Sequence, residues 1–225
     1  MVKILGIDEA GRGPVMGPLV MAGILNNESD EIKLKELEIT DSKLVNKKKR
    51  KIIYDIITKQ FKHQIELITP EQIDDKSKYN LNDLEAITIA KLIYSLKPTI
   101  VYADCPSINP KSFNEQLLKI LKEMSKDDKD FLIPKIVCEH KADINYISSS
   151  AASILAKVKR DEIIEGYKKE YNIDCGSGYP ADKYTVEFLK NNINDPKLRK
   201  IIRMSWGTSK KLLNPDKEIQ NKLIL

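Results

Sequence analysis

The sequence predicts an α/β protein in which one mixed five-stranded sheet is flanked by helices. Three strand-like segments come first, and strand and helix patterns then alternate along the chain. The first two strand-like segments are joined by a short loop rich in glycine and proline, which is typical of a hairpin. Hairpins pair antiparallel and strand–helix–strand units pair parallel, so the sheet should contain both kinds of pairing.

Five segments are continuously apolar or alternate with a period of two residues, as β-strands do. The first ends in two adjacent acids, and the second begins after the glycine–proline loop. Strands are predicted at residues 2–7, 19–25, 64–68, 99–104 and 133–138.

Three long segments have the apolar spacing of amphipathic helices. They are residues 82–96, 112–124 and 147–167, and small residues at 148–153 predict close packing of the last helix on the sheet. Beyond residue 180, shorter helical patterns are interrupted by proline and glycine. We therefore expect a main domain at residues 1–180 and a small C-terminal helical appendage at residues 181–225.

Composition excludes several classes of protein. A chain of 225 residues can form one sizeable core with a small appendage. It contains no apolar run of about 18 residues and no charged-then-apolar leader, so we expect a cytoplasmic protein without a membrane partner. Three scattered cysteines argue against a disulfide framework, and two histidines are too few for a zinc or serine–histidine site. Any hydrolysis would depend on carboxylates.

The net charge of +5 permits a polyanionic partner without proving one. The densest basic cluster, Lys47-Lys48-Lys49-Arg50-Lys51, opens a helical pattern. One interpretation is that it forms the solvated face of that helix. The other is that it faces phosphates, since positive charges at a helix start oppose the helix dipole and need another reason to be there.

Asp8 and Glu9 end the first apolar strand, where burial would favour further apolar residues. Two neighbouring carboxylates repel each other unless a cation lies between them, so a divalent metal is the natural occupant. The alternative is a solvated turn with incidental acids. The glycines at positions 11 and 13 weaken that alternative, because glycine lets the backbone approach another group closely.

Two more acids occupy comparable places. Asp104 closes another apolar strand, and Asp143 lies a few residues beyond the fifth strand. Strand ends are where ligands gather in open sheets. Asp143 has an alternative role as a helix N-cap. Four acids without histidine or cysteine partners suit Mg²⁺ or Mn²⁺, and two such ions could assist hydrolysis of a phosphodiester.

Six motifs together resemble ribonuclease HII, particularly its archaeal form, in the order in which that family carries them. The resemblance covers residues 3 to about 207. The motifs are Asp8-Glu9-Ala10-Gly11-Arg12-Gly13-Pro14, Thr40-Asp41-Ser42-Lys43, Ala103-Asp104, Lys141-Ala142-Asp143, the run from Ser150 to Asp161, and Gly176-Ser177-Gly178-Tyr179-Pro180.

This resemblance implies an RNase H-like fold and an endonuclease that needs Mg²⁺ or Mn²⁺, with two ions expected. The implied substrates are the RNA strand of RNA–DNA hybrids and ribonucleotides embedded in duplex DNA. The enzyme would cut on the 5′ side of an embedded ribonucleotide and leave 3′-hydroxyl and 5′-phosphate ends. The implied metal ligands are Asp8, Glu9, Asp104 and Asp143, with Asp8 bridging both ions and Asp143 holding the ion that activates water.

The resemblance also implies substrate-binding residues. Gly11, Arg12 and Gly13 would place backbone against the ribose, whose 2′-hydroxyl separates RNA from DNA. Tyr179 would stack on the following sugar, although a turn aromatic packed on the core is the alternative. Ser42, Lys43 and Lys157 would contact phosphates, although Lys157 and Asp161 also have the spacing of an ordinary helix pair.

Two other functions remain open from the residues alone. An acidic phosphomonoesterase would need a carboxylate nucleophile and a pocket for a small substrate. A catalytically silent hybrid-binding protein would not need all four acids. A monomer is expected, since no heptad pattern is present.

Overall fold

The computed structural model describes residues 2–39 and 45–214. It confirms the predicted α/β class and the mixed five-stranded sheet, in the order β3-β2-β1-β4-β5. Strand β1 runs antiparallel to β2 and parallel to β4, and β4 runs parallel to β5. The strands are β1 (Lys3–Ala10), β2 (Leu19–Asn27), β3 (Lys62–Ile68), β4 (Ile100–Asp104) and β5 (Lys135–Glu139).

All three predicted long helices are confirmed, together with several shorter ones. The helices are α1 (Glu31–Glu36), α2 (Lys47–Gln60), α3 (Pro70–Asp74), α4 (Leu81–Leu96), α5 (Pro110–Met124), α6 (Ala142–Asn145), α7 (Ile147–Glu170), α8 (Lys183–Asn192) and α9 (Gly207–Leu213), with 3₁₀ turns at Glu28–Asp30 and Pro196–Leu198. Local sequence defines several starts: Asn80 and Asp83 form a capping box on α4, and Asn109 caps α5 ahead of Pro110.

The start of α7 packs closely on the middle of the sheet, as its small residues predict. A side chain on Gly6 of β1 would collide with the backbone of Ser148 and Ser149. The Ser148 hydroxyl donates to Asn26 Oδ1 at 2.8 Å, and the Ser149 hydroxyl donates to the Tyr102 carbonyl at 2.8 Å. Small side chains here satisfy their hydroxyls on the sheet and allow the close approach.

The chain divides into two compact units. The first contains Met1–Ala10, Val20–Leu67 and Tyr79–Lys159, and the second contains Gly11–Leu19, Ile68–Lys78 and Arg160–Leu225. The second unit has its own apolar core, which includes Met16, Phe188 and Ile202. The bounds of these units do not coincide with the boundary predicted after residue 180, and that boundary stays a prediction.

Among the described helices, none combines the length and apolar character needed to cross a membrane. The three cysteines are buried as free thiols.

Candidate active site

Three of the four predicted acids meet where β1 and β4 end side by side. The parallel pairing of these strands extends to Ile7 and Ala103, one residue before Asp8 and Asp104. Beyond that point β1 stays paired only with β2, as far as Ala10. One oxygen from each of Asp8, Glu9 and Asp104 lies within 4.8 Å of the others. The sheet therefore gathers three carboxylates into a group of the size that a metal ion needs.

Asp143 lies in the short helix α6, which follows β5. It is not one of the three residues whose ligand atoms lie within 4.8 Å of one another. Its negative charge nevertheless raises the pKa of both Asp8 and Asp104. Lys141 occupies the N-cap position of α6 with a left-handed backbone, so Asp143 is not the cap of that helix. The N-cap alternative is not supported for α6.

Helix α6 is anchored directly on the carboxylate group. The backbone N–H of Ala142 donates to Asp104 Oδ1 at 3.0 Å. The Ser150 hydroxyl, at the start of α7, donates to the carbonyl of Asp143. These bonds tie the segment that carries Asp143 to the end of β4.

Burial and mutual repulsion make the carboxylates difficult to ionise in the absence of a cation. Burial is the main cause that raises the pKa of Asp8 to about 7, against the lowering effect of a hydrogen bond from Ser153. The pKa of Glu9 is raised well above its usual range by burial and then by the charge of Asp8. Burial also raises the pKa of Asp104. A divalent cation bound here would favour the ionised carboxylates and lower all three pKa values.

Glu85 is a fifth acid at this site and belongs to none of the six motifs. It is fully buried in α4, and its charge contributes to the raised pKa of Glu9. A signal was available in the sequence. Glu85 shares the apolar stripe of α4 with Ile89 and Leu92. Burying a carboxylate on such a stripe costs free energy unless the carboxylate has a partner nearby, so its presence there indicates a site.

The donors present fit a hard cation. All are carboxylate oxygens, which Mg²⁺ and Mn²⁺ prefer, and the clustered like charges need a positive partner. Among the described residues this is the only group of three or more potential ligands that close together.

The second unit contains the loop Gly11–Gly13. Gly11 has a φ of +90°, and a Cβ atom there would lie 2.6 Å from Arg160 Cδ, so the fold itself requires glycine. Gly13 differs, because a Cβ atom there would meet nothing within 4 Å. Packing among the described residues therefore does not require glycine at position 13. A ligand that approaches the backbone closely would require it.

Arg203 holds this loop from the protein side and was not identified from the sequence. Its side chain is fully buried and donates to the carbonyls of Gly11 at 2.6 Å, Arg12 at 3.0 Å and Gly17 at 2.9 Å. Trp206 Nε1 donates to the carbonyl of Gly13 at 3.1 Å. Trp206 also packs against the core of the second unit.

Tyr179 lies in the same unit and keeps 38% of its surface exposed. The Arg160 guanidinium lies 4.9 Å from the centre of its ring, and an Arg160 nitrogen donates to the Ser177 carbonyl at 3.1 Å. The exposure does not support the alternative of a turn aromatic buried on the core. Tyr179 is instead a partly exposed ring that Arg160 braces from one side.

The remaining predicted contacts are less defined. Ser42 and Lys43 lie outside the described residues. Lys157 is partly buried on α7. In the basic cluster at the start of α2, Lys49 pairs with Glu38 at 2.7 Å and Lys51 with Asp55 at 3.4 Å. These pairs are consistent with a solvated helix face.

Comparisons with known proteins agree with this geometry. The family described as Ribonuclease HII matches residues 5–209. The ribonuclease HII of Methanococcus maripaludis strain C6 is 43% identical over 98% of this chain and 90% of the relative. The ribonuclease HII of Methanosarcina barkeri is 39% identical over 98% of this chain and 100% of the relative.

Solved structures give the same result. The ribonuclease H2 of Pyrococcus horikoshii OT3 superposes with a TM-score of 0.81 at 32% identity, over 96% of this chain and 100% of that chain. The ribonuclease HII in the PCNA:RNase HII complex of Archaeoglobus fulgidus superposes with a TM-score of 0.79 at 35% identity, over 91% and 95%. The chain therefore belongs to the ribonuclease HII family, metal-dependent endonucleases that cleave the RNA strand of RNA–DNA hybrids.

Proposed function

We propose that this enzyme also incises duplex DNA on the 5′ side of single embedded ribonucleotides, by hydrolysis assisted by two divalent ions. The products would be a 3′-hydroxyl and a 5′-phosphate. We further propose that it acts as a cytoplasmic monomer. The observation that carries the hydrolytic part is the cluster of buried Asp8 with half-buried Glu9 and Asp104, with Asp143 close enough to shift the pKa of two of them.

The four carboxylates would hold the ions, with Mg²⁺ or Mn²⁺ as candidates. Bound there, the ions would lower the pKa of an attacking water and neutralise the departing 3′ oxygen. The protein's part is to keep the carboxylates ionised and in place. The Ala142 N–H bonded to Asp104 and the Ser153 hydrogen bond to Asp8 both favour the charged forms.

Recognition of a single ribonucleotide needs a feature that reads one 2′-hydroxyl. Gly13 supports such a role for the loop Gly11–Gly13. A side chain at position 13 would meet no atom of the described residues, so packing within the protein does not require glycine there. Backbone groups can approach a sugar closely only where no side chain intervenes. Tyr179, partly exposed and braced by Arg160, would stack on the neighbouring sugar.

A cleavage assay with three duplexes tests the proposal: one with a single ribonucleotide, one with an RNA–DNA hybrid, and one of DNA only. We expect Mg²⁺- or Mn²⁺-dependent cleavage of the first two, with the first cut 5′ to the ribonucleotide. Asp104→Asn should abolish both activities. Asp127→Asn, a change at an exposed acid away from the carboxylate group, is the matched control and should retain them.

The outcomes separate the alternatives. Cleavage of the hybrid alone would reject the incision of single ribonucleotides. Tight binding of the duplexes without cleavage would favour a silent binding protein, and full activity of Asp104→Asn would reject the clustered-carboxylate mechanism. Release of inorganic phosphate from a small phosphomonoester, with the duplexes left intact, would favour a phosphomonoesterase.

A further inference from the structure

We infer that Arg203 is a positioning residue for ribonucleotide selectivity: its guanidinium orients the Gly11–Arg12 and Arg12–Gly13 peptide groups so that the N–H groups of Arg12 and Gly13 face the substrate. This inference rests on the proposed reading of the ribose by that loop. Arg203 lies more than 190 residues from the loop in sequence and would act through the backbone without touching the substrate.

Arg203 binds the carbonyls of the first two residues of the loop and one carbonyl beyond it. Its guanidinium donates to Gly11 O at 2.6 Å and to Arg12 O at 3.0 Å, and its Nε donates to Gly17 O at 2.9 Å. A lysine could not reproduce this pattern, because its ammonium group is a single point of charge whereas guanidinium offers five donors in a planar fork.

The orientation of the N–H groups follows from peptide geometry. In a planar trans peptide the C=O and the N–H point in opposite directions. By binding the carbonyls of Gly11 and Arg12, Arg203 turns the N–H groups of Arg12 and Gly13 away from itself. No described residue accepts a hydrogen bond from the Gly13 N–H. This donor is therefore held ready beside the open space at Gly13.

Arg203 is itself held firmly. Its own N–H donates to Val15 O at 2.8 Å, and its carbonyl accepts from the Ser209 hydroxyl at 2.8 Å. The Asp74 carboxylate accepts from the next two backbone N–H groups, those of Met204 at 2.6 Å and Ser205 at 2.9 Å. The guanidinium also lies 4.8 Å from the ring of Trp206, which binds the third loop carbonyl. Such support is what a residue needs to impose an orientation on a neighbour.

The test measures selectivity separately from stability and metal binding. Dissociation constants are measured by fluorescence anisotropy for a duplex with one ribonucleotide and for the same duplex in DNA only, in Ca²⁺ under conditions where no cleavage is detected. The readout is the ratio of the two constants. For Arg203→Lys we expect this ratio to fall about tenfold, the scale of lost hydrogen bonds from a charged donor, with little change for the DNA duplex.

Two further variants complete the design. Trp206→Phe removes the Nε1 donor to Gly13 while keeping an aromatic ring at this position, and should lower the ratio by about threefold, so it serves if Arg203→Lys does not fold. Arg199→Lys, at an exposed arginine nearby in sequence, should leave the ratio unchanged. The rise in Tm caused by Mn²⁺ should be the same in all of these variants as in the wild type.

The outcomes are distinguishable. If the wild type itself binds both duplexes equally, the proposed reading of the ribose fails. If the wild type discriminates and the folded Arg203→Lys keeps its ratio within about twofold, or loses affinity equally for both duplexes, Arg203 is only structural and the inference fails. If Arg203→Lys does not fold, an unchanged ratio in Trp206→Phe overturns it.

Discussion

Gly6 of β1 lies directly against the backbone of Ser148, so a side chain at position 6 would occupy the space of the Ser148 carbonyl group. This contact fixes the spacing between the central strand and the start of α7. Asp8 follows on the same strand, and Ser153, whose hydrogen bond lowers the pKa of Asp8, follows on the same helix. The contact between glycine and serine therefore supports the geometry of the carboxylate group.

Gly6→Ala should destabilise the protein severely. Backbone cannot move aside as a flexible side chain can, so the free energy of unfolding should fall by about 3 kcal/mol or more. Urea unfolding followed by circular dichroism measures this change. Gly166→Ala is the matched control: position 166 is helical with open space around it, and alanine there should raise stability by about 0.5–1 kcal/mol. Equal stability of Gly6→Ala and wild type would contradict the close packing.

Gly13→Ala should separate folding from substrate recognition. A Cβ atom at position 13 meets nothing within 4 Å and the backbone needs no left-handed conformation, so the Tm should stay the same or rise slightly. Cleavage at a single ribonucleotide should fall by about tenfold or more, because the methyl group enters the space proposed for the ribose and displaces it from its near-attack position. A thermal melt and a cleavage time course check the two effects. Undiminished cleavage would show that the ribose does not approach this position.

Asp8→Asn should raise the stability of the metal-free protein at neutral pH while removing activity. Burial raises the pKa of Asp8 in the folded protein to about 7, above the usual aspartate value of 3.8. Below pH ~4 the acid is protonated in both the folded and unfolded states, so it has no effect on stability. Between pH ~4 and ~7 only the unfolded state loses its proton, so the wild type becomes less stable as the pH rises through this window.

Melting curves in EDTA across that pH range test this prediction. The Tm of Asp8→Asn should exceed that of the wild type near pH ~7.5, and the difference should vanish below pH ~4. Mn²⁺ should raise the Tm of the wild type and have little effect on the variant, because a ligand that binds only the folded state stabilises it. A variant that is less stable than the wild type in EDTA at neutral pH would argue against the raised pKa.

Tyr179 should contribute through its ring and not through its hydroxyl. The ring is partly exposed and braced by Arg160, whereas no described residue forms a hydrogen bond with its hydroxyl. Tyr179→Ala should lower kcat/KM on the duplex with a single ribonucleotide by about tenfold or more, the scale of a lost aromatic stacking contact. Tyr179→Phe should stay within about threefold of the wild type. If Phe were as damaging as Ala, the hydroxyl would be the important group.

Much of the first unit could be predicted because its signals are local. Alternating apolar residues identify the strands, and acids at the ends of Val2–Ile7 and Thr99–Asp104 stand out against that pattern. The rule that parallel strands end at one edge then brings Asp8 and Asp104 together without knowledge of the fold. The two glycines around Arg12 likewise indicate an unusual loop from sequence alone.

Tertiary structure alone decided which distant residues contact the acids at the strand ends and the loop Gly11–Gly13. Periodicity shows that a segment has a buried face but not which segment covers it, so nothing in the sequence near Gly11 indicates that Arg203 binds its carbonyl. Only the folded structure shows that the charge of Glu85 acts on Glu9, and that Arg160 lies against the ring of Tyr179. The sequence by itself determined the sheet, its helices and the acids at the strand ends. The fold decided that buried Arg203 holds the loop Gly11–Gly13, because those hydrogen bonds join residues that only folding brings together.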